Sequence, residues 1–327
     1  MAESPCRNVV APSALSYFTA TVSAVLSPIT IAGNLAVCIA VIKDPYGKLR
    51  TPFMYFLVNL SLSDLVVGAI TMPTSVATHT MEVVGTKKKV HVDLILITYF
   101  ISANASLFSL AILCVDRYCA VAHPHKYRRN AKFKYCLIAS AVIWTISLSL
   151  PWLYFVTGYI PYLMIFAHTG VVGALFILIF SYFKIYKALQ SSRLQTRDAA
   201  ESASKEGRST EVARRKADRK VTKVFLIILG VFAACYIPVI VIIYTLQLCP
   251  HCSCDFRHVL RDLQFILAIS NSAINPFVCT LRLKPFRIAL LKILGLRKEE
   301  SAYTVNQSSL QNDASSVVDN RSKAEKA

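Results

Sequence analysis

Apolar residues in this chain run in long stretches broken by short polar connections, rather than alternating or recurring as one stripe of an amphipathic helix. Seven such stretches cover 15–42, 53–78, 92–115, 135–157, 159–189, 221–248 and 259–281. Each is long enough for a helix to cross a hydrocarbon core, which takes about 20 residues. The pattern therefore predicts an all-α membrane protein, a seven-transmembrane helix bundle. A further segment that starts at Lys284-Pro285-Phe286-Arg287 and runs to Leu296 predicts a short amphipathic eighth helix. One connection is long: 190–220 is polar, poor in aromatics and rich in Ser, Arg, Lys and Glu, which predicts a mobile loop. The stretch 297–327, rich in Ser and Asn, predicts a disordered cytoplasmic tail. The expected organisation is thus an extracellular N-terminus over 1–14, a helical domain with the eighth helix over 15–296, and the tail over 297–327. Residues 1–14 lack a basic start leading into a short apolar core, so no cleaved signal peptide is expected.

Composition agrees with the pattern and removes other classes. The chain is 55% hydrophobic with only 17% charged residues, and its mean hydropathy is +0.50. A soluble core explains neither figure. Its 36 Lys+Arg against 18 Asp+Glu give a net charge of +18, but apolar stretches separate the cations, so no continuous face exists for nucleic acid. Thirty of the 36 cations fall in the connections, adjoining span ends and C-terminal segment on one side of the seven spans. Because Lys and Arg are retained on the cytoplasmic side, this predicts a multi-pass plasma-membrane protein with its N-terminus outside and C-terminus inside. The same basic face predicts contact with anionic membrane lipid. No internal repeat is evident, which argues against a transporter.

Polar residues inside the spans carry the candidate chemistry, because each costs energy unless it faces the bundle interior. Asn34, Asp64, Ser106, Asn271, Ser272 and Asn275 lie at mid-span, and Asn271 and Asn275 share a helix face. A polar pocket around Asp64, able to hold a monovalent cation or a proton, is the sharper reading; interhelical hydrogen bonding is the plainer one. At the inner end of the third span stands Asp116-Arg117-Tyr118, whose arginine reads either as a functional group or as a cation snorkelling to headgroups. Pro238 in the sixth span and Pro276 in the seventh predict kinks. No nucleophile with a base and no His-rich metal motif lies in the spans, so an enzyme is not expected.

These motifs, in this order, resemble the rhodopsin-like (class A) G-protein-coupled receptors over 15–296. The resemblance rests on Gly33-Asn34, Leu60-Ser61-Leu62-Ser63-Asp64-Leu65, Asp116-Arg117-Tyr118, Trp144, the Cys235-x-x-Pro238 of the sixth span and Asn275-Pro276 of the seventh. It implies an extracellular ligand and a heterotrimeric G protein as partners. It also implies a sodium pocket at Asp64, Ser106, Asn271, Ser272 and Asn275, the ion being an allosteric one and no other cofactor being expected. The coupling and switch set it implies is Asp116, Arg117, Tyr118, Asp218, Pro124, His125, Tyr236, Pro238, Asn275 and Pro276. Within it Arg117 engages the G protein, Asp218 latches Arg117, and Pro124, His125 and Tyr127 touch the G protein. Receptor kinases and arrestin would act on tail serines such as Ser308, Ser309, Ser315 and Ser316, although serine-rich disorder alone also explains them.

Departures from the family pattern narrow the group. Tyr236 stands where Trp is usual, Cys279 where Tyr is usual and Ala174 where Pro is usual; Val92 replaces the usual helix-3 cysteine, and the second outer loop is reduced to about 157–159. Among melanocortin-, adenosine- and cannabinoid-type receptors, the melanocortin receptors likewise lack the helix-3 disulfide, that proline and a real second outer loop. They also carry a cluster similar to Cys249-Pro250-His251-Cys252-Ser253-Cys254, and an entry into the second helix similar to Thr51-Pro52-Phe53-Met54-Tyr55-Phe56. That likeness implies one bridge within the outer loop and one to Cys6, most simply Cys249 to Cys252 and Cys254 to Cys6. A zinc site using Cys249, His251, Cys252 and Cys254 is the competing reading.

The positions that would match melanocortin ligand acids are Thr74, Val92 and Leu96; Asp93, one residue off, and Glu82, in the loop, read either as a shifted acid site or, more plainly, as solvated acids of the outer face. Tyr99 stands where amine receptors carry Asp, and Ile269 where opsins carry the retinal lysine. The expected ligand lining is Tyr99, Phe100, Ala103, Tyr236, Ile240, Ile243, Gln264 and Phe265. Such a face suits a small apolar or peptide-like ligand, with ordinary helix packing as the plainer reading. From outside this family, the alternative is a seven-helix transporter or channel without G-protein coupling, which would need a continuous polar path.

Overall fold

The structure, a computed structural model, describes Cys6 and residues 9–86, 89–130, 133–166, 168, 172–173, 176, 179–188, 190–191, 206–249 and 251–296. Side chains are described for these except at 89, 125, 128, 130, 159, 160 and 206–218. Among the described residues there is no strand.

The first span is α1 (Ser13–Lys43), ended by Asp44 in the left-handed conformation at φ 32°. The Asp44 carboxylate accepts from the backbone N–H groups of Lys48 and Leu49 at 2.9 and 3.1 Å, turning the chain into the first inner connection. Thr51 then caps α2 (Pro52–Val66), its hydroxyl accepting from the Met54 N–H, with Pro52 placed where a helix needs no donor. The second span is not one regular helix. A π-helical turn at Val67–Thr71 separates α2 from α3 (Met72–Val83), and the Ser27 hydroxyl of α1 donates to the Gly68 carbonyl at 2.8 Å.

The third span is the 34-residue α4 (Lys89–Ala122), followed by the short α5 (Pro124–Asn130) in the second inner connection. The fourth is α6 (Phe133–Ser149), carried on through a 3-10 turn (Leu150–Trp152) into α7 (Leu153–Thr157). Trp144 donates its indole N–H to Asn59 at 3.0 Å, fastening α6 to α2. Gly158 alone, at φ 84°, then joins α7 to α8 (Tyr159–Ile165), so the second outer connection has the brevity read from the sequence. The rest of the fifth span is described chiefly at α9 (residues 179–188).

The sixth helix corrects an expectation. α10 (Glu206–Leu248) has 43 residues and begins well inside the stretch read as a mobile loop. Glu206–Lys220 contains Glu, Ala, Arg and Lys, good helix formers whose polarity says only that the segment lies outside the membrane. The series of helices closes with α11 (Cys254–Arg282), capped by Ser253, and α12 (Lys284–Ile293), which buries Phe286 and Ala289 and sets Lys292 over the Tyr46 ring at 4.9 Å.

Six described helices are long and apolar enough to cross a membrane, and the fifth span is described only in part. The bundle is polar within and apolar without: Asn34, Ser63, Asp64, Thr71 and Ser75 are buried, whereas Val156 and Phe183 face outward. One apolar core runs from Phe53, Leu57, Phe225 and Phe286 to Phe100, Tyr162 and Tyr236.

Candidate functional site

At mid-depth the side chain of Asp64 is wholly buried. Its Oδ2 accepts from the Asn275 amide at 2.8 Å, while its Oδ1 makes no hydrogen bond of good geometry although the Ser272 side chain also lies against the carboxylate. The side-chain oxygens of Asn34 and Asn271, both buried, also lack a donor. Pro276 cannot supply an N–H to the carbonyl four residues earlier, that of Ser272. Asn34 makes good this loss, its amide donating to the Ser272 carbonyl at 3.1 Å and to that of Thr30 at 3.0 Å. The close approach requires Gly33, since a Cβ there would lie 2.8 Å from the ring carbons of Pro276. Ser106 is bonded to Ser63 at 2.8 Å, and Ser63 donates to the Leu60 carbonyl. The polar residues expected around Asp64 thus come from the first, second, third and seventh helices, with Asn275 directly on the carboxylate.

At the inner end Arg117 is 4% exposed, so it does not snorkel. Its Nε donates to Asp116 Oδ2 at 2.8 Å, with Nη2 donating to the same oxygen, and its guanidinium lies 4.7 Å from the centre of the Phe53 ring. The Tyr127 hydroxyl of α5 donates to the other Asp116 oxygen at 2.6 Å and accepts from Arg117 at 3.4 Å. Tyr118 turns outward and meets His123 edge-on. Pro124 opens α5. The side chains of His125 and Asp218 lie outside the described residues, so the expected Arg117–Asp218 latch has no geometry here; Tyr127, expected to touch the G protein, holds Asp116 in this structure. Tyr236 stacks on Phe232 at 4.2 Å, two residues before the Pro238 that interrupts α10.

Toward the outside, Tyr99, Phe100, Ala103, Tyr236, Ile243 and Gln264 of the expected ligand lining are buried, and Ile240 and Phe265 partly so. Phe100 meets Tyr162 and Phe166 edge-on at 4.7 and 5.0 Å and belongs to packing between α4 and the fifth span. Phe265 packs with Leu26, Val67, Met72 and Ile269 instead of with the Tyr99 group. Tyr162 and Phe166 went unnoticed in the sequence because nothing marks which face of the fifth span meets α4.

Disulfides join Cys6 to Cys254 and Cys249 to Cys252. Sulfurs so paired are not thiolate ligands, which removes the zinc reading. Glu82 and Asp93 are not free solvated acids: Glu82 is buried in α3 and accepts from Ser16, and Asp93 accepts from the Tyr154 hydroxyl at 2.8 Å. Asp262, buried and accepting from Thr19 at 3.0 Å, was missed although it lies within the apolar stretch 259–281, where any acid is a signal.

The family model described as 7 transmembrane receptor (rhodopsin family) matches residues 33–160 and 157–278. The chain belongs to that family. Galanin receptor 2a of Danio rerio is 28% identical over 84% of this chain and 78% of its own length. The 5-hydroxytryptamine receptor 1D of Homo sapiens is 27% identical, covering 87% of this chain and 90% of its own. Adenosine receptor A2a of Canis lupus familiaris is 25% identical over 87% and 74%. The chain is accordingly a seven-helix G-protein-coupled receptor with an extracellular ligand and a G protein as partners, and not an enzyme. This decides against the transporter or channel alternative.

Proposed function

We propose that this receptor works at the plasma membrane with its N-terminus outside, and that Arg117 is the group that engages the G protein when the Asp116–Arg117 pair opens. The observation that carries this is the closed pair itself, a buried guanidinium held by Asp116, Tyr127 and Phe53. A cation so enclosed meets a partner only by leaving these contacts, so the arrangement has a shut state that ligand and G protein can both bias. The test is guanine-nucleotide exchange by added heterotrimeric G protein on the full-length chain in lipid nanodiscs. Arg117→Ala is expected to abolish basal exchange, and exchange equal to the unsubstituted receptor would overturn the role.

The Asp64 oxygen that makes no hydrogen bond of good geometry, beside helices whose Asn34 and Asn271 oxygens also lack donors, supports a sodium ion at this level as an allosteric ligand. Sodium is then expected to raise the melting temperature relative to an equal concentration of a bulky organic cation, and Asp64→Asn to remove the difference. A sodium effect undiminished in Asp64→Asn would place the ion elsewhere.

For the ligand, the buried ring and hydroxyl groups of Tyr99 and Tyr236 with the Gln264 amide support a small, largely apolar or peptide-like molecule. The relatives' names carry three different ligands, so likeness to them gives the class of receptor and not its ligand. Receptor kinases and arrestin at Ser308, Ser309, Ser315 and Ser316, and anionic lipid along the inner face, complete the proposed partners; those serines lie outside the described residues.

A further inference from the structure

The outer ends of α1, α3 and α11 enclose titratable side chains that signal transduction through Arg117 and Asp64 does not use. Four are buried, His79 and Glu82 on α3 and His258 and Asp262 on α11. Glu82 Oε2 accepts from the Ser16 hydroxyl of α1 and lies 3.3 Å from His79 Nδ1. Asp262 accepts from Thr19 of α1 on one oxygen and from Arg261 Nε, at 3.3 Å, on the other. His258 Nε2 is 3.0 Å from the Val9 carbonyl. A carbonyl only accepts, so Nε2 carries the hydrogen, and in the neutral ring the lone pair is on Nδ1. The segment after Cys6 is therefore pinned twice to one turn of α11, by the Cys6–Cys254 bridge and by the Val9–His258 bond, with Cys6 and Ala11 buried.

We infer that His258 is a proton-sensing site on the extracellular face, whose charging loosens the N-terminal segment and the outer packing of α1, α3 and α11.

The ring is only 6% exposed, so a charge placed on it gives up its water. On its own helix it faces the Arg261 cation, which opposes the charge, and Asp262, which favours it; Glu82 favours it from α3. Both carboxylates are already engaged, Asp262 by Thr19 and Arg261 and Glu82 by Ser16 and His79. From α1 come only the hydroxyls of Ser16 and Thr19, from the N-terminal segment the Val9 carbonyl, and the outer end of α10, from Thr245 to Leu248, carries no charged residue. Burial, with Arg261, outweighs the Val9 carbonyl, which also favours the charged ring, and the two acids, so the present packing favours the neutral ring. His79 differs, because its charging would add an ion pair to Glu82 within α3. A proton thus binds better to an arrangement that lets His258 reach water, and lowering the pH through the imidazole range shifts the population that way. The sign follows: the closed packing is complete above that range and is lost as pH falls through it.

The test compares two disulfides in one molecule. Full-length receptor in lipid nanodiscs is treated with a phosphine reductant at pH ~7.5 and ~5.5, either side of the ordinary imidazole range. Reduction of Cys6–Cys254 is followed by mass spectrometry relative to Cys249–Cys252, which cancels the reductant's own pH dependence. The relative rate is expected to rise several-fold at the acid pH, to lose that rise in His258→Gln, and to show a smaller rise in Arg261→Gln, where the opposing cation is gone. Equal relative rates at both pH values overturn the inference, as does a wild-type rise in His258→Gln. Should His258→Gln fail to fold, an undiminished rise in Arg261→Gln overturns it. None of these readouts involves a G protein, so they stand or fall separately from the role given to Arg117.

Discussion

If the Asp116–Arg117 pair is the shut state proposed above, a single hydroxyl bears on how tightly it is held. Tyr127 donates at 2.6 Å to the Asp116 oxygen that Arg117 leaves free, so the carboxylate is held on both sides. Hydrogen bonds to charged groups contribute about 1.5–3 kcal/mol. Tyr127→Phe removes this one while keeping the ring, and a loss of about 1.4 kcal/mol from the shut state alone corresponds to about tenfold in the equilibrium. Basal nucleotide exchange at equal receptor concentration is therefore expected to rise by about tenfold or more, and an unchanged basal rate would mean that Tyr127 does not hold the pair. The tyrosine was legible in the sequence as a residue of the second inner connection expected to touch the G protein. Its partner was not, because the turn at His123 that brings α5 back beneath α4 leaves no mark in the residue types.

At the scale of elements, the seven apolar stretches and the amphipathic α12 were legible because a bilayer demands long unbroken runs. The start of α10 was not, since polarity was read as disorder where Glu, Ala, Arg and Lys in fact continue a helix into water. The π-helical turn at Val67–Thr71 was equally hidden: it depends on Ser27 of another helix taking the Gly68 carbonyl. The two disulfides act on elements very differently. Cys6–Cys254 closes a separation of 248 residues and ties the chain's start to α11, whereas Cys249–Cys252 closes a separation of 3 within the outer connection. A bridge that closes a longer loop removes more freedom from the unfolded chain. Replacing Cys6 and Cys254 by Ser is thus expected to lower the melting temperature more than replacing Cys249 and Cys252, measured on the purified receptor in nanodiscs. The reverse order would show that the short bridge, by fixing the start of α11, matters more.

For the whole molecule the governing quantity is the distribution of charge. The net +18 comes from 36 cations of which the sequence assigns thirty to one face, among them the lysines and arginines of the polar start of α10. A surface of that sign attracts anionic headgroups and an anionic protein partner over distances set by screening, about 10 Å at 0.1 M salt and about 3 Å at 1 M. Arg117 itself is shielded from this field by burial against Asp116 and Phe53, so on the proposed role of Arg117 the charge that steers an encounter and the charge that completes it are different residues. The two separate experimentally. Raising the ionic strength from ~0.05 to ~0.5 M is expected to slow association of G protein with the nanodisc-held receptor, because steering is a screened, long-range effect. It is expected to leave the dissociation rate of the formed complex much less changed, since contacts made by a buried side chain lie inside the screening length. Stopped-flow association and dissociation rates measured across that range check both halves. A dissociation rate that climbs as steeply as association falls would place the essential contact among the exposed lysines and arginines rather than at Arg117.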